Sequence, residues 1–452
     1  MKLSTKSKEY IVPEYSLTGD LLSFLTCNLQ YRYQNRGTLP PSTPIQLWFG
    51  EFIHGVMEES YLKWEYLDEN SIIDPQDIPD DSPYKNQKSL KFPWNWMTDI
   101  RPIEEMIENR LKTRGLVAPR NYYDSSINID EERMDEYNPR KMLYSARAEA
   151  AINIWGPHLF PLISNTEMMI KGIRDMPDLD DFEKRSDSYT INGVLDVLSY
   201  LDISYFKNRK NSHEKKTQQS KLEISPQSNL DSYYDFFKSN MIYEYLFNNS
   251  EFIENMNGFD NEIKQQDSFE IITDYKGMKR PSLDSKNWKH HEQQILTYAW
   301  LRNQQNDDKH VVAGIIFYLN ELVPSNEDLM AIKTDLENNN TDVSISKNDE
   351  EILFDWNPES EYHILNDLSD KFKIDRSIRI IPISKDSERI ENALNEFDSV
   401  VEKIEESILK ESNGIPIKHA WNAEAEKRTC SACDFRTFCN KHKNEFNNIT
   451  IP

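Results

Sequence analysis

The sequence predicts an α/β fold, and three observations carry that prediction. TEMMIKGIR and YTINGVLDVLSYLDI, separated by an acidic turn segment, read as a β-hairpin. FEIITDYKGMKRP has a strand-like start, and the apolar run VVAGIIFYLNEL reads as a buried strand. Around these lie runs with apolar residues at helical spacing, among them HHEQQILTYAW and DSERIENALNEFDSVVEKIEESILK.

Bulk properties bound the rest. A chain of 452 residues holds two or three average domains or one elaborated domain, and 38% hydrophobic content can bury a sizeable core. A formal net charge of −24 argues against a protein that simply coats duplex DNA, because non-specific binding rests on basic surface. It does not exclude a nuclease. Metal sites need carboxylates, and a partner can deliver the strand. No run of about 18 apolar residues occurs, so no membrane span is expected. The opening MKLSTKSKEYIVPEY lacks the apolar core of a signal peptide, and a cytoplasmic location is expected. Four cysteines make no disulfide framework at this length.

Residues 1–20 read as a loose lead-in. LLSFLTCNLQYRYQNRG then places Cys27 in an apolar segment followed by Tyr31, Arg32, Tyr33 and Arg36. Interleaved aromatic and basic residues can stack bases and grip phosphates, but an amphipathic helix with a solvated basic edge is the preferred reading. In STPIQLWFGEFIHGVMEESYLKW, Thr43 suits an N-cap and Pro44 the first helical position. Ile45, Phe49, Phe52, Ile53, Val56 and Met57 recur at helical spacing as one buried stripe. His54 lies beside it, with Gly50 one turn before and Glu58 one turn after. A lone helical histidine is more often structural than a ligand, and Gly50 lets a backbone or substrate approach closely.

Residues 65–145 are polar and broken by prolines, and part of them reads as a helical insertion. In the second hairpin strand Asn192, Val194, Asp196 and Leu198 share a face by alternation. An aspartate in an apolar strand needs a partner: a metal supplies one, and a turn cap at the strand end is the alternative. Residues 205–266 interrupt the strands. The basic FKNRKNSHEKKTQQSK reads as mobile, and the aromatic DSYYDFFKSNMIYEYLFNNSEFIENM reads as helical, either a lid near the substrate or a cover over a satellite cluster.

The stretch from Phe269 to Trp300 concentrates the chemistry. Alternation puts Glu270, Ile272, Asp274 and Lys276 on one strand face, with Asp274 and Lys276 side by side at its end. On the following helix Gln294 and Tyr298 are four residues apart and share a face. A carboxylate that holds a divalent metal beside a lysine that faces attacking water suits phosphodiester hydrolysis. A lone D-x-K triplet is common by chance. Residues 325–385 look acidic and irregular, with strand signal in RSIRIIPIS. The tail carries Cys430, Cys433 and Cys439 at C-x2-C-x5-C, and with Cys27 they use every cysteine in the chain. Four thiolates suit a [4Fe–4S] cluster or a tetrahedral Zn2+.

In this order the motifs resemble the PD-(D/E)XK nuclease superfamily, most of all its RecB-like branch with an iron–sulfur cluster. That branch includes CRISPR-adaptation nucleases, exonuclease V and AddAB-type nuclease modules. The residues that carry the resemblance are Cys27, Gly50 and His54, Gly193 and Asp196, Asp274 and Lys276, Gln294 and Tyr298, then Cys430, Cys433 and Cys439. It covers about residues 20–60, 165–205, 268–320 and 420–445. Two departures stand out: no proline precedes Asp196, and Asp274 stands where many relatives have glutamate.

The resemblance implies a restriction-endonuclease-like core with a central mixed sheet flanked by helices, large helical insertions, and a cysteine-ligated cluster joining the two chain ends. The implied division is a lead-in at 1–20, a cluster cysteine and motif helix at 21–64, and an insertion at 65–160. A nuclease core at 161–325 carries the insertion 205–266, followed by an acidic segment at 326–385 and a C-terminal helix and cluster segment at 386–452. His54, Asp196 and Asp274, with the Tyr275 carbonyl, would bind Mg2+ or Mn2+. Lys276 would orient the attacking water, Gln294 and Tyr298 would position the strand, and Glu167 is a further candidate for the acidic group. The implied activity is a metal-dependent deoxyribonuclease, an exonuclease on single-stranded DNA or ends, in DNA repair or in CRISPR and phage defence. The alternatives are a non-catalytic nuclease-fold subunit that grips DNA for a helicase partner, and a switch that senses redox state through its cluster.

Overall fold

The computed structural model describes residues 12–35, 45–69, 92–118, 141–179, 183–202, 239–258, 268–305, 310–357, 367–384, 387–423, 425, 430, 433, 435–436 and 439. Among them six strands form one mixed sheet: β1 (Glu14–Ser16), β2 (Ile163–Asp175), β3 (Ser188–Asp202), β4 (Ser268–Lys276), β5 (Val311–Tyr318) and β6 (Ile378–Pro382). The long β3 pairs antiparallel with β2 along one side. On its other side it pairs parallel with β1 and then antiparallel with β4. The sheet continues through parallel β5 to antiparallel β6.

Five helices matter to the argument: α1 (Asn28–Asn35), α2 (Ile45–Glu69), α3 (Leu143–Leu159), α4 (Lys286–Gln305) and α5 (Glu388–Ser412). Alternation along β4 and β5 sorts their side chains between two apolar layers. Phe269, Ile271, Tyr275, Ala313, Ile315 and Phe317 pack with Phe49, Phe52 and Ile53 of α2 and with Trp155 of α3. Ile272, Ile316 and Tyr318 pack on the opposite face with Ile295 and Tyr298 of α4 and Leu394 and Phe397 of α5. β5 is buried along its whole length, as its continuous apolar run requires. α5 also grips the hairpin by bidentate pairs: Asp398 accepts from Arg174 at 2.9 and 2.6 Å, and Glu405 accepts from Arg185 at 2.6 Å twice.

Several sequence expectations change. Part of the lead-in belongs to the sheet: Glu14–Ser16 form β1, and Leu17 and Leu21 are buried. The described part of the acidic segment 326–385 carries helices Asn326–Glu337, Lys347–Asp355 and Asp370–Ser377 around a small core of Leu329, Ile332, Leu353, Trp356, Leu368 and Phe372. Ser325, Ser346 and Ser369 each cap a helix through a side-chain oxygen, which lets short polar sequences hold helical form.

The described part of the aromatic insertion forms helices Met241–Asn248 and Ser250–Gly258. Ile242, Tyr243, Leu246 and Phe252 join the same layer as α2 and α3, so this part is neither a lid nor a satellite cover. Within α1, Tyr31 is buried and donates to Asp20 Oδ1 at 2.9 Å, while Arg32 is bidentate to Glu411 at 2.7 and 2.6 Å. Thr43, Pro44, Arg36 and the basic run 206–221 lie outside the described residues. No described helix is long and apolar enough to cross a membrane.

Candidate active site

The C-terminal end of β4 is the floor of the site. Glu270, Ile272, Asp274 and Lys276 share the face beneath α4. Glu270 takes a bidentate Arg302 at 2.8 Å twice, Ile272 packs on Ile295, and Gln294 spans the last two. Gln294 Nε2 donates to Asp274 Oδ1 at 3.2 Å, and Lys276 Nζ donates to Gln294 Oε1 at 2.9 Å. Lys276 Nζ also stands 2.7 Å from Asp274 Oδ2, yet that buried oxygen accepts no hydrogen bond of regular angle. Tyr298, one turn along α4, takes a hydrogen bond from Gln294 Nε2 at 3.3 Å. A Cβ added to Gly193 would lie 2.4 Å from the Tyr298 ring, which gives a physical reason for glycine three residues before Asp196.

α2 brings His54 to the same place. Its Nε2 is 2.7 Å from the Tyr275 carbonyl, and its Nδ1 is 3.4 Å from Asp196 Oδ2, which also accepts from Tyr275 N at 2.9 Å. Asp196 reaches the site through a break in the hairpin. The ladder passes from Thr166↔Val197 to Met168↔Leu195 without pairing Glu167 and Asp196, and Glu167 sits at φ 47. Positive φ strains a residue with a side chain, and such strain clusters at functional sites. The break also shifts the alternation. Leu198 packs with Ile191 and Leu195 in the α4 layer, whereas Asn192, Val194 and Asp196 line the cleft, so the four do not share a face.

One ligand atom from each of His54, Glu167 and Asp196 comes within 4.8 Å of the others. Glu167 thus enters the tight group, and Asp274 stands beside it in the same cleft. The cleft holds about 540 Å³ and opens between α2, the hairpin and β1. Glu14, Ser16 and Thr18 of the N-terminal segment line it too. Sequence reasoning missed all three, because a three-residue strand in a polar lead-in carries no periodicity.

Crowded acids set the electrostatics. Burial opposes charge on His54, but Asp196, by charge and hydrogen bond, and then Asp274 outweigh it and raise the imidazole to about 9. Burial pushes Asp274 up to about 6, with Lys276 pulling it down and Asp196 pushing it up. Asp196 lies below its ordinary value: burial raises it, and His54 and Lys276 more than compensate. Glu167 rises to about 7 through burial and the neighbouring Asp196 and Glu58.

The donor set fits a divalent cation. Carboxylate oxygens and one imidazole suit Mg2+ or Mn2+, and His54, Glu167 and Asp196 each bring a ligand atom within 4.8 Å of the others.

No disulfide joins Cys27, Cys430, Cys433 and Cys439. The chain ends do meet: Leu29 N donates to Asn422 O at 3.1 Å, and Tyr33 packs on Phe435 with ring centroids 5.4 Å apart. Burial raises the Cys27 thiol, and the nearby Cys439 and Cys430 add smaller pushes in the same direction. Sulfurs around one zinc would stand about 3.8 Å apart, from bonds of about 2.3 Å. Among the described residues no three sulfurs come within 4.8 Å of one another.

No protein-family model matches this chain, and no curated protein matches it.

Proposed function

We propose that this protein is a divalent-metal-dependent nuclease that hydrolyses phosphodiester bonds in DNA, acting on single strands or ends. One observation carries the reading. Side chains from α2, β2, β3 and β4, far apart in sequence, meet in one open cleft as an imidazole and three carboxylates beside a lysine. His54, Glu167, Asp196 and Asp274, with the Tyr275 carbonyl, are the groups to hold Mg2+ or Mn2+. When bound, such an ion supplies hydroxide near neutral pH and offsets charge on the phosphate.

The remaining work falls to this chain's own groups. Lys276 is fixed from two sides, by Asp274 and by the Gln294 amide, so its ammonium is directed before substrate arrives. It orients the attacking water or meets the developing negative charge. Gln294 couples Lys276 to Asp274, and Tyr298 steadies Gln294 against β3.

The test is cleavage of labelled single-stranded DNA with Mg2+ or Mn2+ by the oxygen-free purified protein and by Lys276→Ala. Loss of cleavage in the variant, with its fold intact, is expected. Equal activity in the two, or none in either, overturns the reading.

The same reading gives Cys27, Cys430, Cys433 and Cys439 to a structural [4Fe–4S] cluster. Support comes from the thiolate donor set and from the contact between the two segments that carry it. A brown protein with bound iron, bleached by Cys433→Ser, is expected. A colourless protein with stoichiometric zinc overturns the assignment.

A further inference from the structure

Across the β2–β3 ladder, Lys171 stands in register with Asn192, and both line the cleft. Both donate to one oxygen: Lys171 Nζ lies 2.6 Å and Asn192 Nδ2 2.5 Å from Glu14 Oε1, delivered by β1. An ammonium and an amide aimed at a single anionic oxygen is how protein groups commonly meet a backbone phosphate. The charge balance points the same way. Among the described lining residues Glu14, Glu51, Glu167, Asp196 and Asp274 face only two ammonium groups, and Lys276 is engaged with Asp274 and Gln294. A polyanion that enters this acidic cleft has Lys171 as its other lysine contact, and that side chain is half exposed at 49%.

We propose that Lys171 and Asn192 form a phosphate subsite for a nucleotide away from the scissile bond, and that the Glu14 carboxylate is its internal placeholder. Naming the phosphate as part of a DNA strand rests on the nuclease reading. An incoming phosphate displaces Glu14, takes over both donors, and sets the strand along the open face of the hairpin towards Asp196. A solvent-exposed pair contributes little to folding, so the carboxylate yields readily.

Binding of a labelled single-stranded oligonucleotide, followed by anisotropy in the Lys276→Ala background with Mg2+ over a range of salt, tests this. Glu14→Gln removes the competing charge and is expected to tighten binding about fivefold. Lys171→Ala is expected to weaken it by about the same factor and to flatten the slope of log affinity against log salt by about 0.7. Lys171→Arg keeps the charge and retains the slope, which separates a phosphate contact from a folding defect. Wild-type affinity and slope in Lys171→Ala, or no tightening in Glu14→Gln, overturns the subsite while the nuclease reading stands. A parent protein that binds no oligonucleotide overturns both.

Discussion

Two charged clusters grow from the same stretch of chain, and they are built on opposite terms. Asp274 and Lys276 belong to the cleft. Four residues later Arg280 enters a closed knot with Glu321, Asp342, Arg376 and Arg379. In the knot every carboxylate oxygen is saturated. Glu321 Oε1 accepts from Arg280 N at 2.7 Å and Oε2 from Arg376 Nε at 2.6 Å. Asp342 takes both Arg280, at 2.9 and 2.5 Å, and Arg379, at 2.9 and 2.8 Å. Arg379 also lies 4.1 Å over Trp288.

Deep in the cleft, Glu167, Asp196 and Asp274 instead share Lys276 and His54. Asp274 Oδ2 lacks a regular hydrogen bond, and the imidazole of His54 sits at 3.4 Å from its acid. In the knot each carboxylate is held by two arginines, whereas in the cleft the acids outnumber the cations beside them, which leaves room for a further cation. The contrast separates a structural cluster from a binding one.

Neutralising one cleft acid should therefore abolish chemistry and spare the fold. Asp196→Asn is expected to lower cleavage by about 10³-fold or more, the several kcal/mol of a lost metal interaction at about 1.4 kcal/mol per tenfold. Its unfolding free energy should fall by no more than about 1–2 kcal/mol, because the amide oxygen can still accept from Tyr275 N while the attraction to His54 and Lys276 is lost. A large stability loss on denaturant titration would place Asp196 with the knot.

The reverse holds for Glu321→Ala. Removing it leaves Arg376 buried and unpaired, and a loss of about 3–5 kcal/mol is expected from urea unfolding. A loss below about 1 kcal/mol would show that the knot is not the fixed point described above. Metal should divide the two clusters again. Mg2+ or Mn2+ at a hundred times its Kd should stabilise the wild type by about 2.7 kcal/mol, reversed by chelator and absent in Asp196→Asn.

Acid should strain the knot through Asp342. Burial raises its carboxyl, but Arg280 and then Arg379 pull it well below the usual carboxylate range. A depressed folded value gives stability that is complete above the unfolded pKa of about 3.9 and is lost as pH falls through the folded one. The stability gap between wild type and Asp342→Asn should therefore narrow below about pH 4. A gap that stays constant from pH 6 to pH 2 would contradict the pairing.

How legible each cluster was follows from its physics. His54, Asp196, Asp274, Lys276, Gln294 and Tyr298 could be picked out because their motifs occur together in one order along the chain, each being weak alone. The knot was invisible: Asp342 and Glu321 are ordinary acids in an acid-rich chain, and only folding shows their arginines. Glu167 was only a secondary candidate, since strand alternation does not foresee a residue at φ 47 that turns both strands of a hairpin. Leu198 was assigned the wrong face for the same reason. The helices from Asn326 to Ser377 were missed because their stability rests on serine caps and a six-residue core rather than on long apolar periodicity.

Two glycines give the finest comparison within the cleft. A Cβ at Gly193 would strike Tyr298 at 2.4 Å, whereas one at Gly50, also lining the cleft, meets nothing within 4 Å. Gly193→Ala is therefore expected to cost about 1–3 kcal/mol of overpacking and to loosen Gln294 from Asp274. Gly50→Ala removes backbone freedom inside α2 and should stabilise by about 0.5–1 kcal/mol. If the empty space at Gly50 is where a strand passes, that more stable variant should nevertheless bind single-stranded DNA more weakly. Equal binding by wild type and Gly50→Ala, each measured at its own saturating metal, would move the strand's path to the hairpin side of the cleft, towards Asn192 and Lys171.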